Sequence, residues 1–277
     1  MSNVDKITII TPCFNAEKYI EETIVSVLNQ KAVLNNRVKL DYYICDGGSN
    51  DNTLNIIEKY ASKGISIFSE PDSGMYDALT KGLKKIKNGW CAYLNAGDYY
   101  STYAFDIVLD LIEAKKDIDW VSGLTVYYND NGYPLNFALP FRYRNKLLQK
   151  GLYGIQLPFI QQESTFWNAE LNKYLDYSFL PTLHLAGDYY LWYVFSKYAK
   201  LNIIEAFLGG FRIHPGQKSE DLDSYFNEIM SFCSKPNVID RVQAMFDNII
   251  WRCPISIKKR LNKKGLFRFD HENQMWY

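Results

Sequence analysis

Three aspartates stand where a ligand would meet them, at the ends of apolar runs or the start of a helical one. Asp46 closes Tyr43, Ile44 and Cys45; Asp98 closes Tyr93 and Leu94 after Asn95, Ala96 and Gly97; Asp188 follows Leu185, Ala186 and Gly187. At the carboxyl end of a strand in an alternating α/β pattern, an isolated carboxylate such as Asp98 is placed to hold a divalent metal and, through it, a diphosphate. At a helix amino terminus the ionised form is favoured, which suits Asp188 to work as a general base. The bland reading of Asp188 is an ordinary first-turn acid.

Other loops add groups of the same kind. Thr11, Pro12, Phe14 and Asn15 end the first apolar run, where a ligand lying across a parallel sheet edge is met first, and Phe14 is free to stack on a base. The competing structural reading has Pro12 stopping the strand and Asn15 capping the helix that follows. Asp46 can accept from a base N–H beside the paired Gly47 and Gly48, or simply open a turn that ends in an Asp51 cap. Gln161, Gln162 and Glu163 gather ahead of an aromatic pair, with a solvated loop as the alternative. Arg212, His214 and Lys218 form a basic cluster able to close over phosphates. No Gly-x-Gly-x-x-Gly follows the first run and no Gly-x-x-x-x-Gly-Lys-Ser/Thr occurs, so hydride transfer and ATPase chemistry lose their main support.

These groups need a frame. Apolar runs at 7–11, 41–45, 65–68 and 90–94 alternate with segments of helical spacing, such as Ile20, Ile24, Val27 and Leu28, which predicts a mostly parallel sheet with helical crossovers. A helix near 103–115, a strand near 119–127, an irregular tyrosine-rich insertion over 128–160, a helix from about Asp188 and a strand pair near 202–213 are expected next. Everything from about Ser219 reads as helices. The expected division is a domain over 1–215 and a C-terminal helical extension over 216–277, which ends in a basic tail.

Composition sets the bounds. The 277 residues carry no net charge and are 47% hydrophobic, ample for a core and inconsistent with disorder. Seven bases and no acid lie between Trp251 and Arg268, so the rest of the chain is acidic by about seven charges, which argues against nucleic acid as a partner. With Trp251, Ile255, Ile257, Leu261, Leu266 and Phe267 interleaved, the 251–268 tail is expected either to touch an anionic membrane or to form a solvated helix. The first apolar run begins at Ile7, leaving no room for a signal peptide, so a cytoplasmic protein is expected, peripheral at the inner face of the membrane in the case where the tail touches it. Five unpaired-looking cysteines read as reduced, buried thiols.

In this order the motifs resemble the inverting glycosyltransferases of family 2, which have the GT-A fold, over about residues 6–219. The stretch from Glu70 through Pro71, Asp72, Ser73, Gly74, Met75, Tyr76 and Asp77 to Ala78 is similar to bacterial members that build capsule, O-antigen and other surface polysaccharides. The resemblance implies that Thr11, Pro12, Phe14, Asn15 and Asp46 hold the nucleoside and that Asp72, Asp77 and Asn95 line the donor pocket. It also implies that Asp98 binds Mg²⁺ or Mn²⁺, that Asp188 is the catalytic base and that the loop with Arg212 and Lys218 closes on the diphosphate. Gln162 and Glu163 fall on the acceptor side. Where the family writes Asp-x-Asp, this chain has Asn95, Ala96, Gly97 and Asp98, which makes His214 a second candidate metal ligand. The expected partners are a nucleotide-sugar donor, most simply a UDP-sugar, and a glycan or lipid-linked acceptor. Two rivals are a nucleotidyltransferase, which would need a basic triphosphate loop that residues 11–17 do not supply, and a non-catalytic glycan-binding protein.

Overall fold

The computed structural model describes residues 6–213 and 221–277. Strands β1 (Lys6–Cys13), β2 (Lys39–Asp46), β3 (Ile65–Ser69) and β4 (Trp90–Tyr93) form a parallel block in the order β4, β1, β2, β3. Ile7, Thr8, Ile9, Ile10 and Thr11 are all buried, as expected of a strand covered on both faces rather than one that alternates. The crossovers are α1 (Ile20–Leu28) with α2 (Lys31–Leu34), then α3 (Thr53–Glu58), then α4 (Met75–Leu83). Cys13 lies opposite Asp46, and Asp46 opposite Ser69, so the strand ends, and the loops they feed, share one edge.

The second half extends this sheet and adds a smaller one. After β5 (Tyr99–Tyr100) and α5 (Ala104–Ala114), the single strand expected near 119–127 is two, β6 (Trp120–Ser122) and β7 (Thr125–Tyr128), which belong to different sheets. The insertion contributes β8 (Pro134–Ala138) and α6 (Asn145–Gln149). It is followed by β9 (Thr165–Asn168), α7 (Gly187–Phe195), β10 (Leu201–Ile204) and β11 (Gly209–Arg212). β9 runs antiparallel between β4 and β6, and β10 continues the sheet beyond β6. β5, β11, β7 and β8 make the smaller sheet. Gln161 ties the two together like an extra peptide, accepting from Val126 N at 2.7 Å and donating to Val126 O at 3.0 Å.

The expectation of helices to the end holds for α8 (Leu222–Phe232), α9 (Val238–Trp251) and α10 (Ile255–Leu261), but not beyond. β12 (Leu266–Phe267) pairs with β10 and completes the main sheet, and β13 (Phe269–Asp270) pairs with β14 (Met275–Trp276). The tail is also less solvated than its composition suggests. Lys258 turns inward to donate to Leu139 O at 2.9 Å, while Lys259 and Arg268 both pair with Glu205. No helix of the described residues is long and apolar enough to cross a membrane. The cysteines are free thiols, and only Cys253 is more than slightly exposed.

Trp120 and Trp167 face each other across β6 and β9, and both pack on Trp192 of α7, with ring centroids 5.6 and 5.9 Å away. Phe195 closes the cluster. This aromatic block fixes α7, and therefore its amino terminus, against the sheet. Trp120→Ala is expected to destabilise the protein by about 3–5 kcal/mol in denaturant unfolding, the range for truncating a fully buried large aromatic.

Candidate active site

The loops after β1 and β2 are laced together. Asp46, 2% exposed, accepts from Gly48 N at 3.1 Å, Ser49 N at 3.0 Å, Ser69 Oγ at 2.7 Å and Ser49 Oγ. Three of these bonds converge on Oδ2, so Asp46 orders the loop that carries Gly47 and Gly48. Thr11 and Pro12 are buried within β1, Thr11 Oγ1 lying 3.0 Å from the Tyr42 hydroxyl. Phe14, 60% exposed, stands at the mouth with its ring open to a ligand. Asn15 does not cap α1, which begins at Ile20 without a side-chain cap. It adopts φ 47° instead, a region asparagine tolerates, and bonds Ser49 Oγ through its N–H and Asn50 N through its side chain.

The loop before α4 packs against this pair. A Cβ on Gly47 would lie 2.7 Å from Asp72 Oδ2, so glycine there is what admits the Asp72 carboxylate. Burial raises the Asp72 pKa, opposed by a bond from Gly74 N at 2.9 Å. Asp77 accepts from Ser73 N and pairs with Lys81, at the first turn of α4.

Asp98 sits at the junction of the two sheets, 4% exposed. Its Oδ1 accepts from Arg212 N at 2.9 Å and its backbone oxygen accepts from Thr23 Oγ1 at 2.8 Å. Burial pushes its pKa up to about 7, with the Arg212 N–H and guanidinium acting against the rise. The Arg212 side chain is itself buried. It donates to Gly97 O at 2.9 Å and Asp130 O at 2.7 Å, pairs with Glu22, and lies between the rings of Tyr19 and Tyr99. Arg212 therefore clasps the loop that carries Asp98 and does not project from it. His214 and Lys218 lie outside the described residues.

Asp188 opens α7 and is partly buried. Burial raises its pKa to about 6, moderated by bonds from Tyr189 N at 2.7 Å and from Tyr225 Oη at 3.4 Å to both oxygens. Gly187 is needed just before it, because a Cβ there would collide with the Tyr76 ring, whose hydroxyl donates to Leu185 O. Glu163 is buried near both acidic centres. Its pKa is raised well above the usual range by burial first, then by the charges of Asp98 and Asp188. Gln162 accepts from Asn95 Nδ2 at 3.2 Å and donates to Tyr93 O, which ties the same segment to the end of β4. Among the described residues, Glu163 Oε1 and Asn95 Oδ1 are buried without partners.

Sequence reasoning found the acids but missed what holds them. Tyr225 and Glu228 come from α8, far along the chain, and Glu228 accepts from His184 N, Leu185 N and Ala186 N at 2.8–2.9 Å. His184 and Leu185 lie just ahead of α7 and Ala186 is its cap residue, so Glu228 pins the segment that leads into the helix. The alignment of Tyr225 and Glu228 at i and i+3 on one helix was the available signal, but nothing local pointed it at Asp188. Glu228→Ala is expected to cost about 1–2 kcal/mol in thermal or denaturant unfolding, with Glu228→Gln recovering part of the loss because one acceptor oxygen remains.

The chain is similar to known proteins in sequence and in fold. Over 111 residues the chain is 30% identical to the hyaluronan synthase of Pasteurella multocida, a match that covers 39% of this chain but 11% of the synthase. The chain thus spans only about a tenth of that relative's length. Over 188 residues it is 27% identical to the Escherichia coli UDP-Glc:alpha-D-GlcNAc-diphosphoundecaprenol beta-1,3-glucosyltransferase WfgD, covering 67% of this chain and 68% of that one. The fold superposes on S. aureus TarS 1–349 in complex with UDP with a TM-score of 0.60 at 16% identity, covering 97% of this chain and 77% of TarS. The mostly parallel sheet with its one reversed strand is thus the GT-A fold. The pattern of Glycosyl transferase family 2 matches residues 8–169, more than half of the chain, and the protein belongs to that family.

Proposed function

We propose that this glycosyltransferase moves a hexosyl or N-acetylhexosaminyl group, with inversion, from a UDP-sugar to a hydroxyl of a glycan or lipid-linked acceptor during assembly of a bacterial surface polysaccharide. The observation that carries the reading is the pair of acids, Asp98 and Asp188, both near enough to the buried Glu163 to raise its pKa. Asp188, with a pKa raised to about 6, is ionised at neutral pH yet basic enough to take a proton. Asp98 lies at the sheet edge where a diphosphate would rest. In an inverting displacement the acceptor oxygen attacks the anomeric carbon as Asp188 removes its proton. The bond to the diphosphate oxygen breaks on the opposite face and the electron pair leaves with UDP.

Among the described residues no group of three or more His, Cys, Asp or Glu side chains is placed to hold a metal. The residues do fit a Mg²⁺-like mode, in which one or two carboxylates bind the ion and phosphate oxygens and water complete the shell. Asp98 would supply the carboxylate, and the partnerless Asn95 Oδ1 is a second oxygen in the same loop. When bound there, such an ion would supply positive charge to offset that of the diphosphate. Phe14 is exposed where a uracil could stack, and Asp72 and Asp77 line the neighbouring loop. WfgD, whose name specifies a UDP-sugar donor and a diphosphoundecaprenol-linked acceptor, and TarS, whose structure holds UDP, support both the donor and the acceptor class.

Asp188→Asn is expected to lower turnover about 10²–10⁴-fold while leaving donor affinity, read by calorimetry, within about twofold of wild type. A variant that retains near-normal turnover places the base elsewhere. Because the base must be ionised, wild-type kcat should rise with pH through about 6 and then level, and the Asn variant should lack that limb. Chelation with EDTA is expected to weaken UDP binding, with recovery on adding Mn²⁺ or Mg²⁺; chelator-insensitive UDP binding would contradict the ion's part.

A further inference from the structure

Helix α9 is amphipathic in the reverse of the usual sense. Its inward face carries Asp240, Ala244, Asp247 and Trp251, all buried. Lys146 meets Asp240 at 2.6 Å, and Arg144 meets Asp247 at 2.5 and 3.0 Å. Its outward face carries Val238, Ile239, Val242, Met245, Phe246 and Ile249, each 43–78% exposed and recurring at helical spacing. A continuous stripe of large apolar side chains on the solvent side contributes nothing to the core and marks a surface that something covers. Ile255, Ile257 and Leu261 of α10 continue it, at 42–46% exposure.

Charge identifies the occupant. Residues 238–264 contain two acids, Asp240 and Asp247, and both are buried in ion pairs on the inward face. The exposed charges of the segment are all basic: Arg241, Arg252, Arg260, Lys263 and Lys264. The end of α10 also closes a cavity of about 600 Å³ walled by Arg142, Arg144, Lys200, Arg260, Lys263 and Lys264, with no carboxylate in its lining. Two copies meeting through this face would set like charges together, whereas an anionic leaflet satisfies both the bases and the apolar stripe.

We propose that the outer face of α9, continued by α10, is a membrane-docking surface that seats the protein on an anionic lipid leaflet. The apolar side chains enter the interface and the bases lie at phosphate level. The inference goes beyond the transfer reading and does not depend on it, since it rests on surface chemistry alone. It also extends the contact from the 251–268 tail back to the helix before it: within the tail Lys258, Lys259 and Arg268 are engaged internally, which leaves Arg252, Arg260, Lys263 and Lys264 for the lipid.

The test is flotation of the full chain with phosphatidylcholine vesicles, alone or with about 30% phosphatidylglycerol to supply the anionic surface. Wild type is expected to float with the mixed vesicles only, and less as salt rises. Val242→Glu with Phe246→Glu should reduce flotation at least about tenfold, as should Arg252→Glu with Lys263→Glu. The milder pair Ile239→Ser and Ile249→Ser gives the same readout should the glutamates lower the melting temperature. Absence of flotation on anionic vesicles, or equal flotation of the stripe variants, overturns the proposal. So does a wild-type dimer that the stripe variants dissociate with no change in flotation, which would make this face a self-interface.

Discussion

The guanidinium of Arg212 is the point on which the two sheets and the first crossover helix close. It comes from the last strand of the smaller sheet, reaches Gly97 O in the loop after β4, binds Asp130 O beyond β7 and pairs with Glu22 of α1. Its own N–H holds Asp98. At 2% exposure this cation has given up its water, and such a group is tolerated only when its donors are matched from several directions. The cleft therefore inherits its shape from a network at its back, and Asp98 owes its position to β11 as much as to the strand that precedes it.

A second constraint acts on Asp188. Its helix begins against Tyr76 with no room for a side chain at Gly187, and the three N–H groups that lead into it, from His184 to Ala186, are taken by Glu228. α8 thus belongs functionally with the sheet domain, although it follows the boundary expected near residue 216, itself outside the described residues. β12, pairing with β10, binds the chain's end into the same sheet. The C-terminal portion is in this sense part of the site's scaffold on one side, and on the other presents the uncovered face of α9.

The sequence made the parallel block readable because doubly buried strands such as β1 and β2 leave continuous apolar runs, and because the helices between them keep a clean periodicity. Asp98 and Asp188 were legible for the same reason: polar residues that interrupt such runs fall at strand and helix ends. What could not be read was long-range. The 119–127 run is broken at Gly123, whose Cβ would meet Ala206 O at 2.8 Å, and its two halves serve different sheets. Arg212 looked like a loop cation because its partners, Glu22, Gly97 and Asp130, lie far away in sequence. Asn15 looked like a cap because a local rule favours it there, yet the neighbouring β2 loop offered it better partners. The reversed polarity of α9 was hidden as well, since periodicity reveals that a helix has two faces without saying which one meets the core.

The proposed transfer is a direct displacement at the anomeric carbon of a UDP-sugar. The most direct measurement follows the slow hydrolysis of α-linked UDP-sugars by the protein with Mn²⁺, using proton NMR to identify the anomer released before mutarotation scrambles it. Initial release of the β-sugar together with UDP is the predicted result. Initial release of the α-sugar, or no cleavage of any UDP-sugar, would contradict the account.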